Sequence, residues 1–191
     1  NIRARFLFRP RQRYWKRQVK KAAGLISAYS EPGISQACGK HAETLFLLAL
    51  LKRGFELKGE NTREVEGRCW SETDHDLDFV VAKDSKVYGC EVKNRLDYIE
   101  REELEVKLRM CEYLGVRPVF IMRACGKTYN YEIIQKRGYA WIFQDQIYPP
   151  GQERLVEKVR QQLGLHVRCS NEIPSGMVDR FMKWHGRQKV V

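Results

Sequence analysis

Asp78, Glu91 and Lys93 are three residues able to hold a cation or act on a phosphate, and they lie close together in the chain. Glu91 and Lys93 stand two apart in "VYGCEVKN" (87–94), whose Val87, Tyr88, Cys90 and Val92 are apolar and β-prone. Strand alternation aims both charges at one face. Upstream, Asp78 directly precedes "FVV" in "LDFVVA" (77–82). The polar "KDSK" joins the two runs as a four-residue connection of hairpin length, so an antiparallel pair would bring two carboxylates and a lysine to one point of a sheet. Carboxylates so placed repel, and one ammonium cannot neutralise them all. A divalent cation would, and hard oxygen ligands favour Mg2+ or Mn2+ over zinc.

Alternating helices and strands must hold that point. A helix is predicted over 11–29, after Pro10, with Val19, Ala22, Leu25 and Ile26 on one face; "EPGIS" breaks it. A second, over 35–53, is apolar almost all round from Leu45 to Leu51, which predicts a buried helix closed by Gly54. "FELKGENTREVEGRCW" alternates loosely, as a strand beside an irregular charged stretch. Further helices are predicted over 98–114, 129–138, 151–163 and 175–186, and strands over 117–123, 139–143 and 165–168. This order predicts an α/β fold, a mixed central β-sheet flanked by helices on both faces. The expected organisation is a basic N-terminal arm and helix (1–34), an α/β core (35–170) and a C-terminal helix (171–191).

A chain of 191 residues suits one well-cored domain with appendages. No apolar run approaches the roughly 20 residues of a membrane helix. Nothing after Asn1 reads as a secretory signal, so an intracellular protein is expected. The six cysteines contain no CxxC pair, and Cys38 to His41 is the only close Cys/His spacing. They read as small thiols in a reducing compartment, Cys90 the most buried, and not as a zinc site or disulfide framework.

The net charge of +11 is unevenly spread. Arg3, Arg5, Arg9, Arg11, Arg13, Lys16, Arg17, Lys20 and Lys21 precede the first acid, Glu31, and these nine cations leave only +2 for the remainder. Phe6, Phe8, Tyr14 and Trp15 are interleaved with them. Phosphate-seeking cations beside rings that can stack resemble a nucleic-acid arm; the plainer reading is a solvated basic helix.

The run "LDFVVAKDSKVYGCEVKN" (77–94) resembles the signature of the PD-(D/E)xK nucleases, the restriction-endonuclease-like superfamily that includes archaeal Holliday-junction resolvases. That signature is an acid ahead of an apolar strand, a variable gap, then Glu-x-Lys. "GKHAETLFLLALLKRG" (39–54) is similar to the helix the family places before the hairpin, often bearing an acid: here Glu43, on the face shared with Phe46 and Leu47. The resemblance spans roughly residues 38–145. Leu77 stands where the family has proline, a replacement it tolerates. Asp74, Asp76 and Asp78 crowd together; Asp78 is preferred because it abuts "FVV" and shares a strand face with Val80, and Asp76 is the reserve.

The resemblance implies metal-assisted hydrolysis of a DNA phosphodiester that leaves a 5′ phosphate. Asp78, Glu91 and the main-chain carbonyl of Val92 would hold Mg2+ or Mn2+, which polarises the phosphate and activates water. Lys93 would orient that water or offset charge on the phosphorane. Glu43 would assist the water or a second ion. DNA is the implied partner, and pairing of two copies to cut both strands is left open.

Plainer readings stand beside these. Glu91 and Lys93 could be a solvated ion pair on an edge strand, and Glu43 a helix-surface partner of Lys40. His41 and His75 read as bystanders, because the chemistry needs no histidine. Asn94, Arg95 and Lys107 suit a phosphate groove and a solvated surface equally. The competing class is an inactive nuclease fold that grips DNA through residues 1–21, and the intact Glu43, Asp78, Glu91, Lys93 quartet favours the enzyme over it. A structural protein is disfavoured by the clustered basic arm.

Overall fold

The computed structural model describes residues 6, 7 and 9–188. Its centre is the hairpin of β4 (Leu77–Lys83) and β5 (Lys86–Lys93), paired antiparallel with Phe79 opposite Cys90 and Lys83 opposite Lys86. The connection is therefore Asp84 and Ser85 alone, tighter than the four residues of "KDSK". Both take positive φ, 50° and 56°, which matches the twist of the flanking strands.

The loosely alternating stretch before the hairpin forms β1 (Glu56–Thr62) and a small ribbon of β2 (Glu64–Val65) and β3 (Arg68–Cys69). On the far side lie β6 (Arg117–Met122) and β7 (Tyr139–Ile142). The sheet order is β1-β4-β5-β6-β7; β4 runs antiparallel to both of its neighbours, β1 and β5, and β5, β6 and β7 are parallel. The fold is α/β with a mixed five-stranded sheet, as expected, and β5 is its central strand.

Two helices cover one face. α2 (Pro32–Leu51) and α6 (Ser175–Arg187) bring Phe46, Leu50, Val178 and Phe181 onto Phe79, Tyr88, Cys90 and Trp141. The last helix thus completes the main core. The other face is covered by α3 (Arg101–Leu114) and α4 (Lys127–Gln135), through Leu104, Leu108, Met110, Cys111 and Ile133. A side cluster joins α1 (Trp15–Tyr29) and α5 (Glu153–Leu163) over the parallel pair β8 (Gln146–Tyr148) and β9 (Val167–Cys169).

Several boundaries differ from expectation for local reasons. α1 begins at Trp15, not residue 11, because Tyr14 sits in the left-handed region at φ 58°. α2 begins at Pro32, at the first helical positions where proline is tolerated. "EPGIS" thus ends one helix and starts the next. The short β8 has no periodicity of its own from which to read it. The six cysteines are all free thiols, and Cys38, Cys90 and Cys111 are buried. Among the described residues, no helix is long and apolar enough to cross a membrane.

Candidate active site

β5 carries Glu91 and Lys93 on the face covered by α3. Close approach of that helix depends on Gly89: a Cβ there would lie 2.8 Å from Leu77 Cδ1, 2.9 Å from Val116 Cγ2 and 3.1 Å from Cys111 Sγ. α3 then supplies two charges one turn apart, Glu103 and Lys107. Glu91 is only 2 % exposed. Its Oε1 lies 2.7 Å from Lys93 Nζ and its Oε2 2.5 Å from Lys107 Nζ. Lys93 reaches on to Glu103 Oε1 at 2.6 Å, and Lys107 also donates to the Asp76 carbonyl. The result is an alternating row, Glu103–Lys93–Glu91–Lys107.

Asp78 meets this row where the β4–β5 ladder ends. Its Oδ2 accepts the Val92 N–H at 2.5 Å. A strand residue turns its N–H and C=O to the same side, so the Val92 carbonyl faces β4 as well. Burial, and after it the Glu91 charge, pushes the Asp78 carboxyl up to about 7; the Val92 N–H and Lys107 oppose the rise and Glu43 adds to it. Burial works against the Lys93 charge too, but Glu91 and Glu103 outweigh it and raise its proton affinity above the ordinary range. Glu103 is likewise held below its usual range, the Lys93 hydrogen bond overcoming burial. The lysine stays charged while one carboxylate is left in excess.

Glu43 comes from α2, on the opposite layer. Its Oε2 lies 3.2 Å from Lys40 Nζ, with the side chain 20 % exposed, and its charge still reaches Asp78. The Lys40 pairing and the approach to the site therefore coexist. The edge-strand reading of Glu91 and Lys93 does not hold, since β4 and β6 flank β5 and both side chains are largely buried.

The remaining candidates divide clearly. Asp76 enters through its carbonyl, and Asp74 is fully exposed, 3.6 Å from Arg63. His41 Nε2 is 2.7 Å from the Ser170 carbonyl and His75 Nδ1 3.0 Å from Thr73 Oγ1. Arg95 is exposed. Asn94 is buried and structural. Its Nδ2 donates to the Cys38 and Ile147 carbonyls at 2.9 and 2.6 Å, and its Oδ1 accepts the Ile147 N–H at 2.8 Å. It locks the end of β5 to α2 and β8.

Lys107 is the reverse case, a residue left open by the sequence that lies at the heart of the row. The signal was present: Lys107 shares its helical face with Leu104, Leu108 and Cys111, and a lysine on a buried face demands a buried acid. Glu103, one turn earlier, carried no comparable signal.

A divalent ion suits the donor chemistry. Asp78, Glu91 and the Val92 carbonyl are hard oxygen donors, and the surplus carboxylate at Asp78 is what a cation would relieve. Among the described residues, however, no three His, Cys, Asp or Glu side chains converge closely enough to hold an ion. Both Glu91 oxygens face lysines, so one lysine must withdraw for an ion to use that carboxylate.

Of the arm, Arg3 and Arg5 lie outside the described residues. Arg9, Arg11 and Arg13 precede α1, Lys16, Arg17, Lys20 and Lys21 lie on it, and all seven are exposed. Tyr14 is 76 % exposed beside them. Comparisons with protein-family models, curated proteins and solved structures gave no match for this chain.

Proposed function

We propose that the chain is a metal-dependent endonuclease of the restriction-endonuclease-like type that hydrolyses DNA phosphodiester bonds. The observation that supports this most is the convergence of Asp78, Glu91 and Lys93 at the end of the β4–β5 ladder. Asp78, Glu91 and the Val92 carbonyl would hold Mg2+ or Mn2+, which when bound supplies Lewis-acid activation of phosphate and water.

The chain's own residues do the rest. Lys107 ties Glu91 to the start of β4 through the Asp76 carbonyl, fixing how the two acids sit. Lys93 keeps its proton and directs a full positive charge at the same point, where negative charge grows on the phosphate oxygens during attack. Glu43 orients water from the α2 side. The exposed cations of the arm contact phosphates without reading sequence.

Labelled DNA duplexes, flaps and junctions incubated with magnesium or with chelator test this. Cleavage is expected only with magnesium. Persistent cutting by a variant lacking Asp78, Glu91 and Lys93 together would end the assignment. If about four arm cations reach phosphates, log affinity should fall against log salt with a slope of about −3.6. Replacing Lys16, Arg17, Lys20 and Lys21 with Gln should flatten that slope.

One observation favours a second reading. Because lysines already neutralise both Glu91 oxygens, the row is satisfied without an ion, as in an inactive DNA-binding module. Calorimetry separates the two: the module binds DNA and no magnesium, whereas the enzyme binds magnesium in a way that Asp78→Asn weakens.

A further inference from the structure

Among the described residues, two buried side-chain polar atoms have no hydrogen-bond partner, Trp141 Nε1 and Arg168 Nε. Both residues line one open groove of about 820 Å3, outside β7 and beside the start of α6. An unpaired buried donor carries a desolvation cost of about 1–3 kcal/mol, so two in one groove call for a common cause. Both atoms can only donate. The missing partner must therefore bring acceptors.

The charges of the groove specify more. Arg123, Arg168 and Arg180 line it together with His166, against a single carboxylate, Asp145. Asp145 Oδ2 stands 3.7 Å from Arg168 Nε, beyond hydrogen-bond length, and Oδ1 stands 3.8 Å from His166 Nδ1. Three guanidinium groups and one carboxylate leave two positive charges before His166 is counted. The sheet edge adds donors. Phe143 N–H bonds to the Met122 carbonyl of β6, so by alternation Ala140 and Ile142 turn their N–H groups outward. Trp141 is itself 1 % exposed and fixed by stacking on Phe181, with ring centroids 4.8 Å apart and planes within 4°. Its indole N–H is a preset donor.

We propose that this groove is a binding site for a phosphate group, held by Trp141 Nε1, Arg168 and Arg123, on a ligand as large as a nucleotide. A phosphate monoester carries about −1.5 to −2 charges at neutral pH and several acceptor oxygens, which matches both the surplus charge and the donor-only lining. The volume exceeds what a bare ion fills. The inference does not rest on the nuclease reading, because none of these residues belongs to the Asp78–Glu91 site.

The indole N–H resonances of the full chain provide the test. There are four tryptophans, and Trp141→Phe, which keeps the packed ring, identifies the resonance of residue 141. Inorganic phosphate should move that resonance saturably, half-saturating at or below about 1 mM. Arg168→Gln should weaken the effect at least about tenfold, and Asp78→Asn should leave it unchanged. A 5′-phosphorylated dinucleotide compared with inorganic phosphate identifies the source: tighter binding of the dinucleotide points to a nucleotide or strand end, equal binding to free phosphate. A resonance that stays still, that moves equally in Arg168→Gln, or that responds as strongly to an unphosphorylated dinucleotide would overturn the proposal. Retained chemical-shift dispersion in Arg168→Gln checks that the variant is folded.

Discussion

The two ends of β5 each bury a polar cluster, and they solve the problem differently. At its start, Tyr88 is fully buried and its hydroxyl lies 2.7 Å from His185 Nδ1, while His185 Nε2 lies 2.9 Å from Asp84 Oδ2. Lys86 Nζ donates to the His185 carbonyl at 3.5 Å. Every member has a partner, and the only carboxylate is 64 % exposed. Burial pushes the Tyr88 hydroxyl up to about 12, so it stays protonated. The cluster staples α6 to the β4–β5 turn, and its one lysine, Lys86, is matched by its one carboxylate, Asp84. At the other end, seven positions after Asp84, Glu91 is buried and the half-buried Asp78 carries charge that burial resists. A polar cluster built to hold a fold finishes neutral. The cluster proposed to hold a cation keeps an imbalance that a bound cation would remove.

The largest expected effects set these ends against each other. Asp78→Asn, Glu91→Gln and Lys93→Ala should each lower single-turnover DNA cleavage at least about a thousandfold, about 4 kcal/mol of transition-state stabilisation, with DNA binding retained. His185→Leu should do the opposite. It strands the Tyr88 hydroxyl in the core and should cost about 2–3 kcal/mol of stability by urea unfolding, with cleavage unchanged. If His185→Leu abolished cutting while staying folded, the division of labour along β5 would be wrong.

How much of this was legible follows the kind of signal involved. The hairpin, Gly54 and the helices of the core were readable because alternation and 3.6-residue periodicity encode burial directly. The acids and Lys93 were readable because their spacing carries chemistry. Lys107 was half-readable: its place on an apolar helix face was in the sequence, but its partner Glu91 lies on another element. Glu103 and the Tyr88–His185–Asp84 cluster were not readable, since each joins residues from distant elements whose local surroundings look ordinary. The β7 groove belongs with them, as Trp141 and Arg168 meet only through the tertiary fold.

Asp78 offers a smaller effect with a distinctive pH signature. An aspartate in an unfolded chain titrates near 4, and in the folded chain burial, then Glu91, pushes Asp78 to about 7. Between those values the folded chain keeps a proton that the unfolded chain has released, so stability falls as pH rises through that window. Asp78→Asn removes the titration and retains an acceptor for the Val92 N–H. In chelator it should be more stable than the wild type at pH 8 by about 2 kcal/mol, less than the full shift because the site keeps contact with water, and equal to it near pH 4. Magnesium should narrow the gap by stabilising only the wild type. A gap that is the same at pH 4 and pH 8 would mean that Asp78 is not a surplus charge.

Glu43 carries the smallest expected effect and separates the two layers' contributions. It is held by Lys40 at 3.2 Å on α2, yet its charge adds to the burden on Asp78. Removing that charge has two consequences that share one cause. Asp78 should titrate lower, which is measurable by NMR of its carboxyl carbon in chelator. Cleavage should slow about tenfold in single turnover, about 1.4 kcal/mol, because the α2 side no longer orients water. Glu43→Gln keeps the shape and leaves Lys40 exposed to solvent, so folding should be unaffected. Lys40→Gln is the control: it breaks the same ion pair from the other side, and a surface pair of this kind contributes at most about 1 kcal/mol. If Lys40→Gln slows cleavage as much as Glu43→Gln, the pair acts as one unit. If neither variant alters cleavage or the Asp78 titration, Glu43 is a surface residue, and the site reduces to Asp78, Glu91 and Lys93 with Lys107 behind them.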